Sequence, residues 1–225
     1  MHNWITALRL RTLPLAFSSI GMGAFLAASH SGFKLNVFTL ALLTTLCLQI
    51  LSNLANDYGD SVHGADNADR VGPSRAVQTG SISQKKMKVA IGIAALLSLT
   101  SGLSLIAIAE VSFHTFLVFA GLGILSIFAA ILYTNGRVPY GYIGLGDICV
   151  YMFFGLLGVG GTYFLMLGSF SYDLFLPASA CGLFTVGVLN VNNIRDIESD
   201  LVAGKKSIPG RLGRSRAIYL SLIHI

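Results

Sequence analysis

Asn53, Asn56, Asp57 and Asp60 fall at offsets of three, four and seven residues in an otherwise apolar chain. On a helix those offsets bring the side chains to one face. Asn192, Asp196 and Asp200 repeat a four-residue spacing near the other end. Each stripe stands where a long apolar run gives out. Carboxylates there are costly to desolvate, and they repel one another unless something positive lies between them. Amide oxygens beside carboxylates suit a hard, oxygen-seeking cation such as Mg2+, which keeps some of its water and binds through substrate phosphates. Two such ridges facing each other could hold two metal ions on one diphosphate. Either stripe alone could equally be a solvated helix end, with Asn and Asp as caps and turn formers. The pairing of the two gives them weight.

Cations share the same segments. Arg70, Arg75, Lys205, Lys206 and Arg211 could meet a diphosphate, and arginine offers it a two-pronged donor. A bias of positive charge to one membrane face explains any one of them as well. A third polar segment, Tyr133 to Asp147, holds two further candidates, Arg137 and Asp147, because charge at a membrane edge needs a reason. Tyrosines at that depth are often interfacial anchors. His63 lies beside the first stripe, as a surface residue or as an aid to proton transfer. No P-loop and no glycine-rich strand-to-helix turn is present, so nucleotide binding of those kinds is not supported. Nothing points to nucleic acid or to an obligate protein partner.

The elements that must position these residues are membrane helices. Of 225 residues, 54% are hydrophobic and 11% charged, where soluble domains carry roughly 25% charged residues. Mean hydropathy is +0.72. Six runs near 12–30, 36–55, 89–109, 113–133, 143–167 and 172–191 reach the ~20 residues that cross a bilayer. No cleavable signal peptide is evident. Cys47, Cys149 and Cys181 lie inside apolar runs and read as small core residues. Ser83 is placed to cap the third span. Only Lys34 of the 15 Lys and Arg residues falls on the outer side. The N terminus and the candidate site are therefore expected in the cytoplasm. The stripes end spans two and six, which hints at an internal duplication. Residues 217–225 read as the start of a seventh span cut short, so the chain is expected to be a fragment.

The stretch from Gln49 through Asp60, continued by Gly64, Asp66 and Asp69-Arg70-Val71-Gly72-Pro73-Ser74-Arg75, resembles the UbiA superfamily of intramembrane prenyltransferases. Leu189 to Asp196 with Asp200 and Gly204-Lys205 extends the resemblance, as do Thr12-Leu13-Pro14 and Tyr140-Gly141-Tyr142 through Asp147. Within that superfamily the chain is similar to the 1,4-dihydroxy-2-naphthoate polyprenyltransferases of menaquinone synthesis. The resemblance implies an all-α polytopic bundle. About six spans and the start of a seventh, of nine expected, would form a single incomplete domain over 1–225. It implies a bacterial inner-membrane enzyme in which the Asp motifs hold Mg2+ and a polyprenyl diphosphate, with Asn56, Asp57 and Asp60 matching the first metal motif and Asp196 and Asp200 the second. Arg70, Arg75 and Lys205 would bind the diphosphate, and Asn53, Asn192, Tyr133, Arg137 and Asp147 the substrates. The donor's allylic cation would be attacked by dihydroxynaphthoate, with loss of CO2 and diphosphate, to give demethylmenaquinone. Two alternatives are another aromatic acceptor and a transporter, since Asp69-Arg70-Val71-Gly72 also resembles a major-facilitator loop. A third is a fragment that inserts and binds nothing.

Overall fold

The structure, a computed structural model, describes residues 2–64 and 75–224. Asp66, Asp69 and Arg70 lie outside the described residues. The described chain is helical throughout. Helix α1 (His2–Leu8) turns through Arg9 and a 3-10 turn (Leu10–Thr12) into α2 (Leu13–Ser29). Pro14 sits in the first turn of α2, where a missing N–H breaks no helical bond. Helices α3 (Leu35–Val62), α4 (Gln84–Ile108) and α5 (Phe113–Leu132) follow. After a 3-10 turn (Tyr140–Ile143), α6 (Gly146–Val150) runs through a π-helix (Tyr151–Gly161) into α7 (Thr162–Leu167). Helix α8 (Phe175–Arg195) is followed by the short α9 (Ile197–Val202) and α10 (Ile208–Leu212), and then α11 (Arg214–His224). Ser83 caps α4 as expected, its hydroxyl accepting from Lys86 N at 3.4 Å.

Among the described residues, six helical stretches are long and apolar enough to cross a membrane: Asn3–Ser29, Leu35–Val62, Gln84–Ile108, Phe113–Leu132, Gly146–Leu167 and Tyr172–Arg195. The outer surface is greasy, with Phe25, Leu96, Phe128 and Leu176 all exposed. Only Phe119 of α5 is buried. A multi-pass membrane protein is the physical consequence, since no aqueous protein tolerates so much exposed apolar surface. The three cysteines are free and half-buried.

The boundaries differ from expectation in two places that matter. Helix α3 runs on to Val62, so the first acidic stripe is the last part of a span rather than the start of a loop. The second stripe is bent. Helix α8 stops at Arg195, and Asp196 (φ −97°, ψ 13°) forms the joint with α9. Bonds from Asp196 N to Asn192 O and from Asp200 N to Asp196 O preserve the four-residue turn across that joint.

Small residues set the close helix contacts. A Cβ on Gly155 of the π-helix would lie 2.6 Å from Ala178 O and 2.9 Å from Gly182 Cα. One on Gly23 of α2 would lie 2.4 Å from Val159 O. Backbones can approach this way only where side chains are absent. The packing draws α2 and α8 onto the π-helix. Two buried clusters flank the interior. One gathers Ile20, Ala41, Ile106, Phe119 and Met166 toward the uncharged end. The other gathers Leu51, Leu54, Val77, Ile82 and Met87 near the charged end.

Candidate active site

A cavity of about 1300 Å3 opens among the helices. Its deep wall is apolar, with Ile20, Ala41, Ile106, Phe119 and Leu165. Its mouth is polar, with Asn56, Asp57, Asp60, Asn192, Asp196 and Lys205. The inner ends of α3 and α8 supply that mouth.

On α3 the stripe is held from several sides. Asn53 gives one amide hydrogen to Leu8 O (2.9 Å) and one to Thr12 Oγ1 (3.2 Å), while its oxygen accepts from Gln49 Nε2 (3.2 Å). Both hydrogens of this expected substrate-binding residue are thus spent on protein. Asn56 Oδ1 faces the Thr134 hydroxyl at 3.2 Å. Thr134 and Asn135 also reach back to Ala55 O, at 3.1 and 2.9 Å. Gly59 permits that closure: a Cβ there would stand 2.6 Å from Thr134 O. Asp60 is fully engaged, accepting from Tyr142 OH at 2.8 Å and from Arg75 Nη1 at 2.5 Å. Asp57 is the exception. It is 1% exposed, and its Oδ1 is buried with no hydrogen-bond partner among the described residues.

The facing ridge is also paired. Arg195 holds Asp196 through two bonds of 2.8 and 2.7 Å. Lys205 Nζ lies 3.0 Å from Asp200 Oδ2. Burial pushes the Asp200 carboxyl above its ordinary range, against the opposing pull of Lys205. Tyr142 links the two ridges. Its hydroxyl donates to Asp60, its ring lies 5.9 Å from Lys205 Nζ, and its carbonyl accepts from Lys206 N at 2.8 Å. Burial first, and then the Asp60 charge, raise the Tyr142 phenol well above its usual range, so it remains a donor. Arg211 secures the same turn by bonds to Ile143 O (2.7 Å) and Lys206 O (3.1 Å).

Nine of the residues singled out from sequence line one cavity: Asn53, Asn56, Asp57, Asp60, Arg75, Tyr133, Asn192, Asp196 and Lys205. Others stand elsewhere. Asp200 and Asp147 are buried outside the cavity lining. Arg137 is exposed at the loop, because its turn folds back over α3 and leaves the guanidinium outside. His63 ends α3, its ring nitrogens 2.9 Å from Gly59 O and 3.1 Å from Gly136 O. Residues passed over at first also contribute. Thr12 and Gln49 line the cavity, and so does Arg9, whose φ of 48° is left-handed. That backbone region is strained for a residue with a side chain, and it marks a position fixed by its surroundings.

Tyr142→Phe removes one bond to Asp60 and nothing from the ring packing. About a tenfold fall in turnover is expected, the size of one hydrogen bond to a charged group, with an unchanged elution profile in detergent. Turnover equal to the parent's would show that Asp60 needs no such anchor.

A bundle of membrane helices with carboxylates and cations at the mouth of an apolar chamber defines a class: membrane enzymes that bring a charged head group to a lipid tail. The chain belongs to the UbiA prenyltransferase family, whose model matches residues 16–225. It is 51% identical to a 1,4-dihydroxy-2-naphthoate octaprenyltransferase of Haemophilus influenzae, over 100% of this chain and 74% of that one. It is also 51% identical to the Escherichia coli protein of the same name, over 95% and 70%. The Mycobacterium tuberculosis protein of that name is 34% identical, over 99% and 75%. In structure it is similar to a UbiA homolog from Archaeoglobus fulgidus bound to DMAPP and Mg2+. The TM-score is 0.67 at 19% identity, covering 99% of this chain and 75% of that one. That likeness supports the fold.

Proposed function

We propose that this protein transfers a polyprenyl group from its diphosphate to 1,4-dihydroxy-2-naphthoate, with loss of CO2 and diphosphate. The relatives at 51% identity are named 1,4-dihydroxy-2-naphthoate octaprenyltransferase. The observation that carries the reading is the joining of a charged mouth to an apolar chamber in one cavity of about 1300 Å3. The mouth suits a diphosphate, and the chamber suits a prenyl tail.

The donor set fits Mg2+ in a particular manner. Among the described residues no three His, Cys, Asp or Glu side chains form a ready-made metal cluster. Asp57 nevertheless keeps an unpartnered buried oxygen at the cavity wall. Mg2+ is usually held by one or two carboxylates, waters and substrate phosphates rather than by an all-protein cage. Asp57, Asp60 and Asn56 on one side and Asp196 on the other would hold it, with Asp200 behind. Bound Mg2+ would neutralise the diphosphate and stabilise the charge growing on it as the leaving group.

The chain's own residues do the rest. Arg75 and Lys205, each now 2.5–3.0 Å from a carboxylate, share the diphosphate charge, and Arg70 completes the family motif. The C–O bond of the donor breaks, and the electron-rich naphthoate ring forms the new C–C bond near Tyr133 and Asn192. The apolar wall excludes water that would otherwise capture the allylic cation. The charge bias supports a cytoplasmic mouth and N terminus, and the bacterial relatives support an inner membrane. The major-facilitator alternative rested on residues 69–72, outside the described residues, whereas the family match spans the bundle.

The test uses membranes carrying the protein, dihydroxynaphthoate, octaprenyl diphosphate and Mg2+, with prenylated naphthoquinone read by mass. Product is expected, and EDTA should abolish it. Product formed equally in EDTA would remove the metal, and none at all would remove this acceptor.

A further inference from the structure

We infer that Gln49 accepts a hydrogen bond from the 4-hydroxyl of the aromatic acceptor and so sets acceptor specificity. The inference rests on the prenyl-transfer reading above and goes beyond it to name the group that recognises the ring. Gln49 lines the cavity. It lies two helical turns, about 12 Å, from Asp57 along α3, where a ring would lie beneath the diphosphate.

Its amide cannot turn over. Nε2 donates to Thr12 Oγ1 at 3.3 Å and to Asn53 Oδ1 at 3.2 Å. The Thr12 hydroxyl gives its own hydrogen to Arg9 O at 2.9 Å, and Asn53 spends both hydrogens on Leu8 O and Thr12. Exchanging the Gln49 oxygen and nitrogen would set its oxygen against two acceptors. Network satisfaction of this kind decides amide orientation. The consequence is that Gln49 Oε1 is left over, with no protein hydrogen bond among the described residues.

Gln49 is half-buried on the cavity wall, so that oxygen is available to a donor that enters the cavity. In the dihydroxy acid, the 1-hydroxyl has the adjacent carboxylate as an internal acceptor. The 4-hydroxyl has none and must donate outward. Accepting from it also draws electron density into the ring that attacks the donor. A site built around a hydroxyl discriminates strongly against analogues that lack it, because its own polar group is then left unpaired.

The test compares 1,4-dihydroxy-2-naphthoate with 1-hydroxy-2-naphthoate as competitor. Both are measured on the unaltered protein and on Gln49→Met, as the ratio of KM to Ki within each protein. The unaltered protein should bind the monohydroxy acid about tenfold more weakly, the worth of one buried hydrogen bond. The Gln49→Met variant should bind the two alike. Equal binding by the unaltered protein overturns the inference even if the variant fails to fold. So does a variant that keeps the tenfold preference. Absence of any transfer to dihydroxynaphthoate by the unaltered protein strikes the prenyl-transfer reading instead.

Discussion

Asp57→Asn is expected to cut prenyl transfer by on the order of a hundredfold or more, the scale of losing one group that stabilises transition-state charge. Four carboxylates were candidates for this work, and their surroundings separate them. Asp60, Asp196 and Asp200 are each paired with Arg75, Arg195 and Lys205. Among the described residues, Asp57 Oδ1 alone of the four is a buried oxygen without either a hydrogen bond or an ion pair. Asparagine keeps its shape and removes its charge. The fold should therefore survive, with a melting temperature in detergent equal to the parent's or higher, because a buried charge has been relieved. The Mg2+ concentration for half-maximal activity should rise as turnover falls. A variant that keeps full turnover and an unchanged Mg2+ midpoint would take Asp57 out of the site and shift the burden to the facing ridge.

The spans were legible because a long apolar run in this composition has one stable solution in lipid, and six runs became six spans. The first acidic stripe was legible for a related reason. Its offsets are helical, and the helix continues through it to Val62. The second stripe was only half legible, since nothing local announces that the chain bends at Asp196. The π-helix at 151–161 was not legible at all. It lies where Gly155 and Gly182 let two backbones meet, a tertiary fact. The same holds for Asn53 and Gln49. Sequence spacing put Asn53 on the cavity face and passed over Gln49, which lines the same cavity four residues earlier. Which of them is spent on protein and which keeps an oxygen for a ligand depends on Leu8 and Thr12, more than 35 residues away. Tyr142 looked like an interfacial anchor, and its hydroxyl finds Asp60 across 82 residues of sequence.

Arg75→Leu should destabilise the protein by ~3–5 kcal/mol, the usual cost of breaking one side of a buried ion pair. The two side chains are 9% and 6% exposed, and the pair closes at 2.5 Å. Arg75 also donates to Asn56 O at 2.8 Å, so it ties the segment after residue 74 to the end of α3. With Arg75 gone, Asp60 would keep Tyr142 as its hydrogen-bond donor but would hold a buried charge with no contacting cation. A second substitution separates stability from chemistry. Asp60→Asn added to Arg75→Leu removes that stranded charge while leaving an oxygen for Tyr142, and most of the lost melting temperature should return. Transfer should not return, because the carboxylate that would hold Mg2+ and the cation that would meet the diphosphate are both absent. If the double variant melts as low as Arg75→Leu, the cost lies in the lost bond to Asn56 and in packing rather than in the charge. If it recovers both stability and turnover, Asp60 and Arg75 are a structural clasp, and Asp57 with the α8 ridge suffices to hold Mg2+ and, through it, the diphosphate.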